Sequence, residues 1–315
     1  MTHFSCANSK ALFSRTDTLS GGAIQVLKRR AKFYFRHWLY RDHIAAIDNE
    51  LHEQGLQALL ETDPALLLRP FRSYLWTGLN PVGRAGAFVQ HFRWLTQQYG
   101  STAVLSLYRL GRIGMAQWPR DPHGVSVELL PGRALDREGE LELHLLLDGV
   151  VALRTAFSIL PGDFDPSLPK GNYMVIGAMQ GSLDGLEVLR TLSKTMERAQ
   201  PRSVFLAALQ GLANGWGLRG MVGVSSKAHV FAGYGRTLAR RVAVSYDEVW
   251  ELAGGQHRPE ATHWLLPMRP HHRDLAEIPS KKRAEHRRRD QLIEQVFEDC
   301  RAGASAALPI DSGLD

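Results

Sequence analysis

The hydrophobic pattern is clearest in the middle of the chain. Val125, Val127 and Leu129 alternate with polar residues and stop at Pro131-Gly132. Leu141, Leu143, Leu145 and Leu147 then recur at every second position, and a further apolar run follows Asp148-Gly149 over residues 150–159. A period of two marks strands with a buried face, so this stretch predicts a hairpin of antiparallel strands. Parity bears on its register. A two-residue Asp148-Gly149 turn sets Leu143 opposite Arg154. A three-residue loop over 147–149 pairs Leu145 with Val151, Leu143 with Leu153 and Leu141 with Thr155, and with Gly149 left-handed it is the expected form. Glu138, Glu140 and Glu142 alternate with these apolar positions and read as the solvated side of the hairpin.

Elsewhere the period is helical. Ile24, Leu27, Ala31, Phe35 and Trp38 recur at spacings of three and four and predict a helix over 24–40, with basic residues between them. Further helices are expected over 44–62 and 83–99, separated by turns at Arg69-Pro70 and Asn80-Pro81. Downstream, a short strand (174–179) passes through Gln180-Gly181-Ser182 into a helix over 183–198. A second helix starts at Pro201, and a buried strand covers 221–225. A strand–helix–helix–strand crossover favours parallel pairing of the two strands. A helical patch (246–252), a last strand (262–266) and a basic helix (280–297) follow. The fold class is therefore α+β. Residues 1–20 are an expected disordered N-terminus, 21–118 a mainly helical region, 119–300 a mixed-sheet domain, and 301–315 a disordered tail.

Composition adds exclusions. The 315 residues are 44% hydrophobic and 22% charged, an ordinary globular balance. The two cysteines, Cys6 and Cys300, exclude a disulfide framework and a Cys-rich zinc site. No apolar run spans a bilayer and the first 30 residues read without a signal-peptide core, so the expected location is cytoplasmic, with peripheral attachment at the inner membrane left open. The net charge of +6 is clustered in Lys28–Arg41 and Lys281–Arg289. Such patches either attract phosphate-bearing surfaces or are solvated helix faces. Nucleotide-binding, zinc-protease and serine-hydrolase motifs are absent, and His271-His272 has no metal-ligand spacing around it, so no metal is expected.

Several dispersed segments, in order, resemble one family. They are Arg137-Glu-Gly-Glu-Leu141, Ile176-Gly-Ala-Met-Gln-Gly181, Thr191-Leu-Ser-Lys194, Arg198–Pro201, Gly223-Val-Ser-Ser-Lys-Ala-His229, Ser245-Tyr-Asp-Glu-Val-Trp250 and the basic run 281–289, with His91 before an aromatic residue upstream. On these the chain resembles the VirK/YbjX family, domain of unknown function 535, over roughly residues 65–295. Ser226 departs from the family, where an Asn is expected. The resemblance implies envelope maintenance and virulence in Gram-negative bacteria, including tolerance of cationic antimicrobial peptides, and no particular chemistry.

The order of elements is also similar to the core of GNAT-type N-acyltransferases. That likeness implies a splay between two parallel strands that receives the pantetheine arm of an acyl-CoA, with its pyrophosphate at the following helix N-terminus. Gln180, Gly181 and Ser182 are the matching turn, Gly181 allowing close approach and Ser182 capping the helix, with Lys194 a further candidate phosphate contact. The glycine spacing, Gly181 then Gly185, does not match the acyltransferase pattern, and a tight turn without ligand is the other reading. For amine acylation, His229 is the candidate base, Tyr246 the candidate acid for the leaving thiolate, and Asp247 a base or orienting group. The competing readings are a histidine bonded to backbone and a packed Tyr246–Trp250 helix face.

Two functions follow as expectations. One is an acyl- or aminoacyl-transferase using an acyl-CoA or similar pantetheine or nucleotide donor on a small-molecule or peptide amine. The other is a non-catalytic accessory protein whose basic helices bind an anionic membrane surface or a partner. No nucleic-acid motif is present, and a nucleic-acid partner ranks last.

Overall fold

The computed structural model describes Ala31 and residues 34–120, 122–182, 185–232, 245–257 and 261–306. Most of the predicted helix over 24–40 lies outside these residues, as do Cys6 and residues 307–315 of the tail; residues 34–39 are helical. The expected 44–62 helix is two helices, α1 (Arg41–Glu53) and α2 (Gln57–Thr62). Gly55 between them sits at φ 71°, a left-handed conformation that ends the first helix. α3 (Pro81–Tyr99) starts where Asn80-Pro81 predicts, with Asn80 Oδ1 accepting the Gly83 N–H at 2.8 Å. α4 (Ser101–Leu110) follows.

One eight-stranded sheet runs through the molecule in the order β1-β2-β3-β4-β5-β6-β8-β7. Its strands are β1 (Ile113–Arg120), β2 (His123–Pro131), β3 (Leu141–Leu147), β4 (Val150–Pro161), β5 (Asn172–Gly181), β6 (Gly220–Val224), β7 (Gln256–His257) and β8 (His263–Leu266). β1 falls within the stretch expected to be helical; Pro119 is tolerated there because β1 is an edge strand. β5 and β6 pair in parallel, as the crossover predicts, and the two crossover helices are α5 (Leu186–Thr195) and α6 (Pro201–Gly215). α7 (Tyr246–Leu252) and α8 (Ser280–Ser305) are the last two α-helices among the described residues. The helix α8 extends to Ser305, so residues 301–305 are ordered helix rather than tail. Gly211 and Gly215 of α6 let α8 approach to backbone contact: a Cβ on either would lie 2.2 Å from the Phe297 carbonyl oxygen or 2.4 Å from that of Arg301.

The hairpin register corrects the expectation. Leu147 pairs with Val150, so Asp148-Gly149 is a two-residue turn, with positive φ at both positions (50° and 78°). Parity is restored one step later by a bulge that leaves Ala152 unpaired. Leu145 then faces Leu153, and Arg154 faces His144 rather than a leucine. A second bulge leaves Gly177 unpaired where β5 pairs with β4. The backbone of Glu138 lies against it, since a Cβ at Gly177 would stand 2.0 Å from the Glu138 carbonyl oxygen.

The three glutamates are buried, not solvated. Glu140 Oε2 meets Arg69 Nη1 at 2.9 Å. Glu142 Oε1 accepts the N–H groups of Arg133, Ala134 and Leu135, and its Oε2 meets His144. The segment 132–139 folds back over that face of β3 and removes it from water, an arrangement that strand alternation cannot reveal. His91, also buried, accepts the Ile159 N–H on Nδ1 at 3.1 Å.

Candidate functional site

The parallel pairing of β5 and β6 ends at Ile176 and Gly223, while β5 continues against β4 as far as Gly181. A gap therefore opens between the ends of the two parallel strands, the position where open α/β sheets commonly place ligands. The backbone groups along the gap are partly taken up by α7. Ser225 donates to Thr262 on the β8 side, so alternation turns Val224 toward β5, where its carbonyl accepts Trp250 Nε1 at 2.8 Å. On the other bank the Tyr246 hydroxyl lies against the Met179 N–H and accepts Gln180 Nε2 at 3.3 Å. The same alternation turns the Gly181 amide to that edge, two residues beyond Met179.

Three predicted residues meet here. The His229 ring stacks on Tyr246 with centroids 4.8 Å apart, and Gln180 touches the same phenol. Burial pushes the Tyr246 pKa up to about 12, with the nearby Glu138 charge adding to it. Burial lowers His229 to about 4. Its Nδ1 faces the Phe231 N–H at 3.4 Å, and its buried Nε2 has no hydrogen-bond partner among the described residues. At neutral pH this imidazole is uncharged and a weak base.

The remaining predicted residues have other surroundings. Asp247 Oδ1 accepts Trp264 Nε1 at 2.8 Å and the Ser226 N–H at 3.2 Å, while Ser226 Oγ accepts the Asp247 N–H at 3.1 Å. This carboxylate ties the start of α7 to β8 and to the loop after β6, and a serine suffices for the reciprocal pair at position 226. Gly181 has space around it: a Cβ would meet nothing closer than 3.9 Å. Ser182 does not cap the next helix. Its N–H donates to the Ala152 carbonyl at 3.2 Å, a group presented by the β4 bulge, and the N-cap of α5 is Gly185. Lys194 is exposed in the last turn of α5 and makes no hydrogen bond or ion pair among the described residues.

Sequence reasoning missed Glu138. It is 3% exposed, and burial together with the Asp136 carboxylate pushes its pKa up to about 7. Its neighbour Arg137 lies over the Phe231 ring at 5.5 Å, and Phe231 in turn contacts His229. The segment 73–77 straps these pieces together. Leu75 N–H donates to Arg137, Thr77 N–H donates to Ala228, and Trp76 bridges His229. Leu75 takes φ 58°, a left-handed conformation rare for leucine, with its side chain fully buried. The available signal for Glu138 was its place in the Arg137–Leu141 motif, directly before a strand.

Among the described residues no group of three or more His, Cys, Asp or Glu could hold a metal, and no helix is long and apolar enough to cross a membrane. His272 pairs with Asp290 and Glu294 of α8, carboxylates distant from it in sequence.

Comparison with known proteins gives relatives without an assigned activity. The chain is 25% identical over 274 residues to "Uncharacterized protein YbjX" of Escherichia coli (strain K12), covering 85% of this chain and 81% of that one. It is 29% identical over 131 residues to an "Uncharacterized protein" of Haemophilus influenzae, covering 41% and 43% of the two chains. No solved structure matches. The model of the family described as "Protein of unknown function (DUF535)" matches residues 23–302, and the chain belongs to that family.

Proposed function

We propose that this protein is a GNAT-like N-acyltransferase acting on an amine of an envelope component or peptide in a Gram-negative bacterium. The observation that carries the reading is the gap between the ends of β5 and β6, with Tyr246 on its β5 bank and the buried Glu138 within electrostatic reach of that phenol. The sheet order and the bulge at Gly177 support the same reading. An acyl-CoA or similar pantetheine thioester, when bound, supplies an activated acyl carbon. The Gly181 amide, which faces the gap with room beside it, fits one hydrogen bond from an extended amide-bearing arm, whereas the Met179 N–H is held by Tyr246. The Ser182 N–H does not fit a phosphate cradle, being held by Ala152.

In this reading Glu138 accepts the proton that the amine loses as the C–N bond forms. Tyr246, kept protonated by burial, gives a proton to the sulfur as the C–S bond breaks. Both residues are restored by exchange with solvent. His229 is a positioning residue: its ring fixes the Tyr246 ring by stacking.

The test is the melting temperature of wild type and Gly181→Asp with millimolar CoA and acyl-CoAs. Binding to the folded state raises the melting temperature with ligand concentration. A rise in wild type that is lost in Gly181→Asp supports the reading. No rise in wild type at millimolar ligand removes it.

A second reading has its own observation. In the helical residues 34–39, Phe35 is 58% and Trp38 66% exposed, and Lys281, Lys282 and Arg287 are exposed at the start of α8. These are the features of a non-catalytic protein docking on anionic lipid. Flotation with anionic vesicles, lost in Phe35→Ser/Trp38→Ser, tests it.

A further inference from the structure

A cavity of about 300 Å³ lies between α6, α7 and α8. Its inner wall is mostly apolar, with Met179 of β5, Leu206 of α6, Val249 and Trp250 of α7, and Ile293 of α8, and it includes one buried amide, Gln210. Polar residues, among them Arg202, Glu251 and His271, are exposed and form its rim. Leu252, on the same lining, is 80% exposed. An isolated exposed leucine needs no explanation, but one at the lip of an apolar cavity extends that surface outward.

Two residues join this cavity to the β5–β6 gap. The Met179 N–H faces the Tyr246 hydroxyl, and Met179 also lines the cavity. The Trp250 ring stacks with Tyr246 at 6.1 Å, holds the Val224 carbonyl, and forms the cavity wall. A group held at the Tyr246 hydroxyl is therefore one side chain away from a space with the volume of a small ligand site. One wall residue, Met179, is unbranched and flexible and adapts to chains of different length.

We infer that this cavity receives the hydrocarbon chain of a medium-chain acyl donor, so that the protein selects acyl groups by chain length. The inference rests on the acyltransferase reading and adds a donor class to it. It predicts discrimination by the chain and not by the CoA portion. Each methylene that leaves water for an apolar wall favours binding, so affinity rises with chain length until the cavity is full.

Titration of the protein with CoA, acetyl-CoA and decanoyl-CoA by calorimetry tests it, on wild type, Leu206→Trp and Ser203→Trp. Ser203 is half-buried on the first turn of α6 and also lines the cavity, so its variant fills the space without altering the core. The expected result is decanoyl-CoA binding at least tenfold tighter than acetyl-CoA in wild type, with that preference lost in a folded filled variant and CoA affinity unchanged. Equal affinities for the two acyl-CoAs, or a preference that survives filling, overturn the cavity assignment while leaving the CoA reading intact. Absence of CoA binding altogether overturns both.

Discussion

Gln180 and Tyr246 lie 66 positions apart in the chain, yet the Gln180 amide donates to the Tyr246 hydroxyl at 3.3 Å. This contact joins the end of β5 to the start of α7 across the gap that opens between the parallel strands. Tyr246→Phe removes the acceptor for that amide and for the Met179 N–H while keeping the ring. The expected cost is about 1–3 kcal/mol for leaving buried donors unpaired, read from the urea midpoint at unchanged slope. Thioester-dependent amine acylation is expected to fall together with it, whereas a purely structural tyrosine would change the midpoint alone.

Glu138 supplies a pH test. Its raised pKa, about 7, means that the carboxylate forms only as the pH passes through neutrality. If it is the base, the acylation rate rises with pH through about 7 and then levels off. Glu138→Gln is expected to slow the reaction by roughly 10²–10⁴-fold and to abolish that rise. Persistence of the wild-type pH profile in this variant would remove Glu138 from the proton path.

His91 controls stability in acid. Burial lowers its pKa from 6.5 to about 3. The folded state thus holds the neutral form, while the unfolded chain takes up a proton below about pH 6.5. The unfolded state then binds more protons, so stability falls as the pH drops from about 6.5 toward 3. His229 and His263, each lowered by burial to about 4, act in the same direction over 6.5 to 4. His91→Gln, which keeps an acceptor for the Ile159 N–H, is expected to flatten the dependence of the urea midpoint on pH between 6.5 and 4.

The Arg69–Glu140 pair is enclosed, with Arg69 also donating to the Gly132 carbonyl at 2.7 Å. Removing one partner leaves a buried charge, at a cost of about 3–5 kcal/mol for Arg69→Met alone. The double variant Arg69→Met/Glu140→Leu is expected to recover much of that loss. A denaturation cycle of the single and double variants checks it, and additive losses would show that the two groups are not coupled.

Gly177 tests the packing of the 132–139 segment on the sheet. A methyl group there would overlap the Glu138 backbone. Gly177→Ala is expected to destabilise by about 1–3 kcal/mol, since the obstacle is backbone and cannot rotate away. It also displaces Glu138, so under the proposed function acylation is expected to fall more steeply than stability.

β2 and β3 were legible in the sequence because apolar residues alternate with polar ones along them, β5 and β6 because they are short apolar runs bounded by turn residues, and α6 and α7 because their apolar positions recur at helical spacing. The parallel pairing of β5 with β6 was legible because a two-helix crossover leaves room for little else. Among the candidate site residues, Gln180 and His229 both lie in contact with Tyr246. Other features depended on contacts between distant segments. Alternation marked Glu138, Glu140 and Glu142 as solvent-facing, but the 132–139 segment folds over them and Arg69 arrives from 71 residues away. The hairpin turn follows Asp148-Gly149 chemistry, and the parity conflict is removed by a bulge at Ala152 that also supplies a carbonyl to Ser182. Asp247 lies beside Tyr246 in sequence, yet its carboxylate is held by Ser226 and Trp264. Local periodicity determined which segments are strands and helices, because it depends only on which face must leave water. The tertiary structure decided which charges are buried, which backbone groups remain along the β5 edge, and where the cavity lies, because each of these depends on the segment packed opposite.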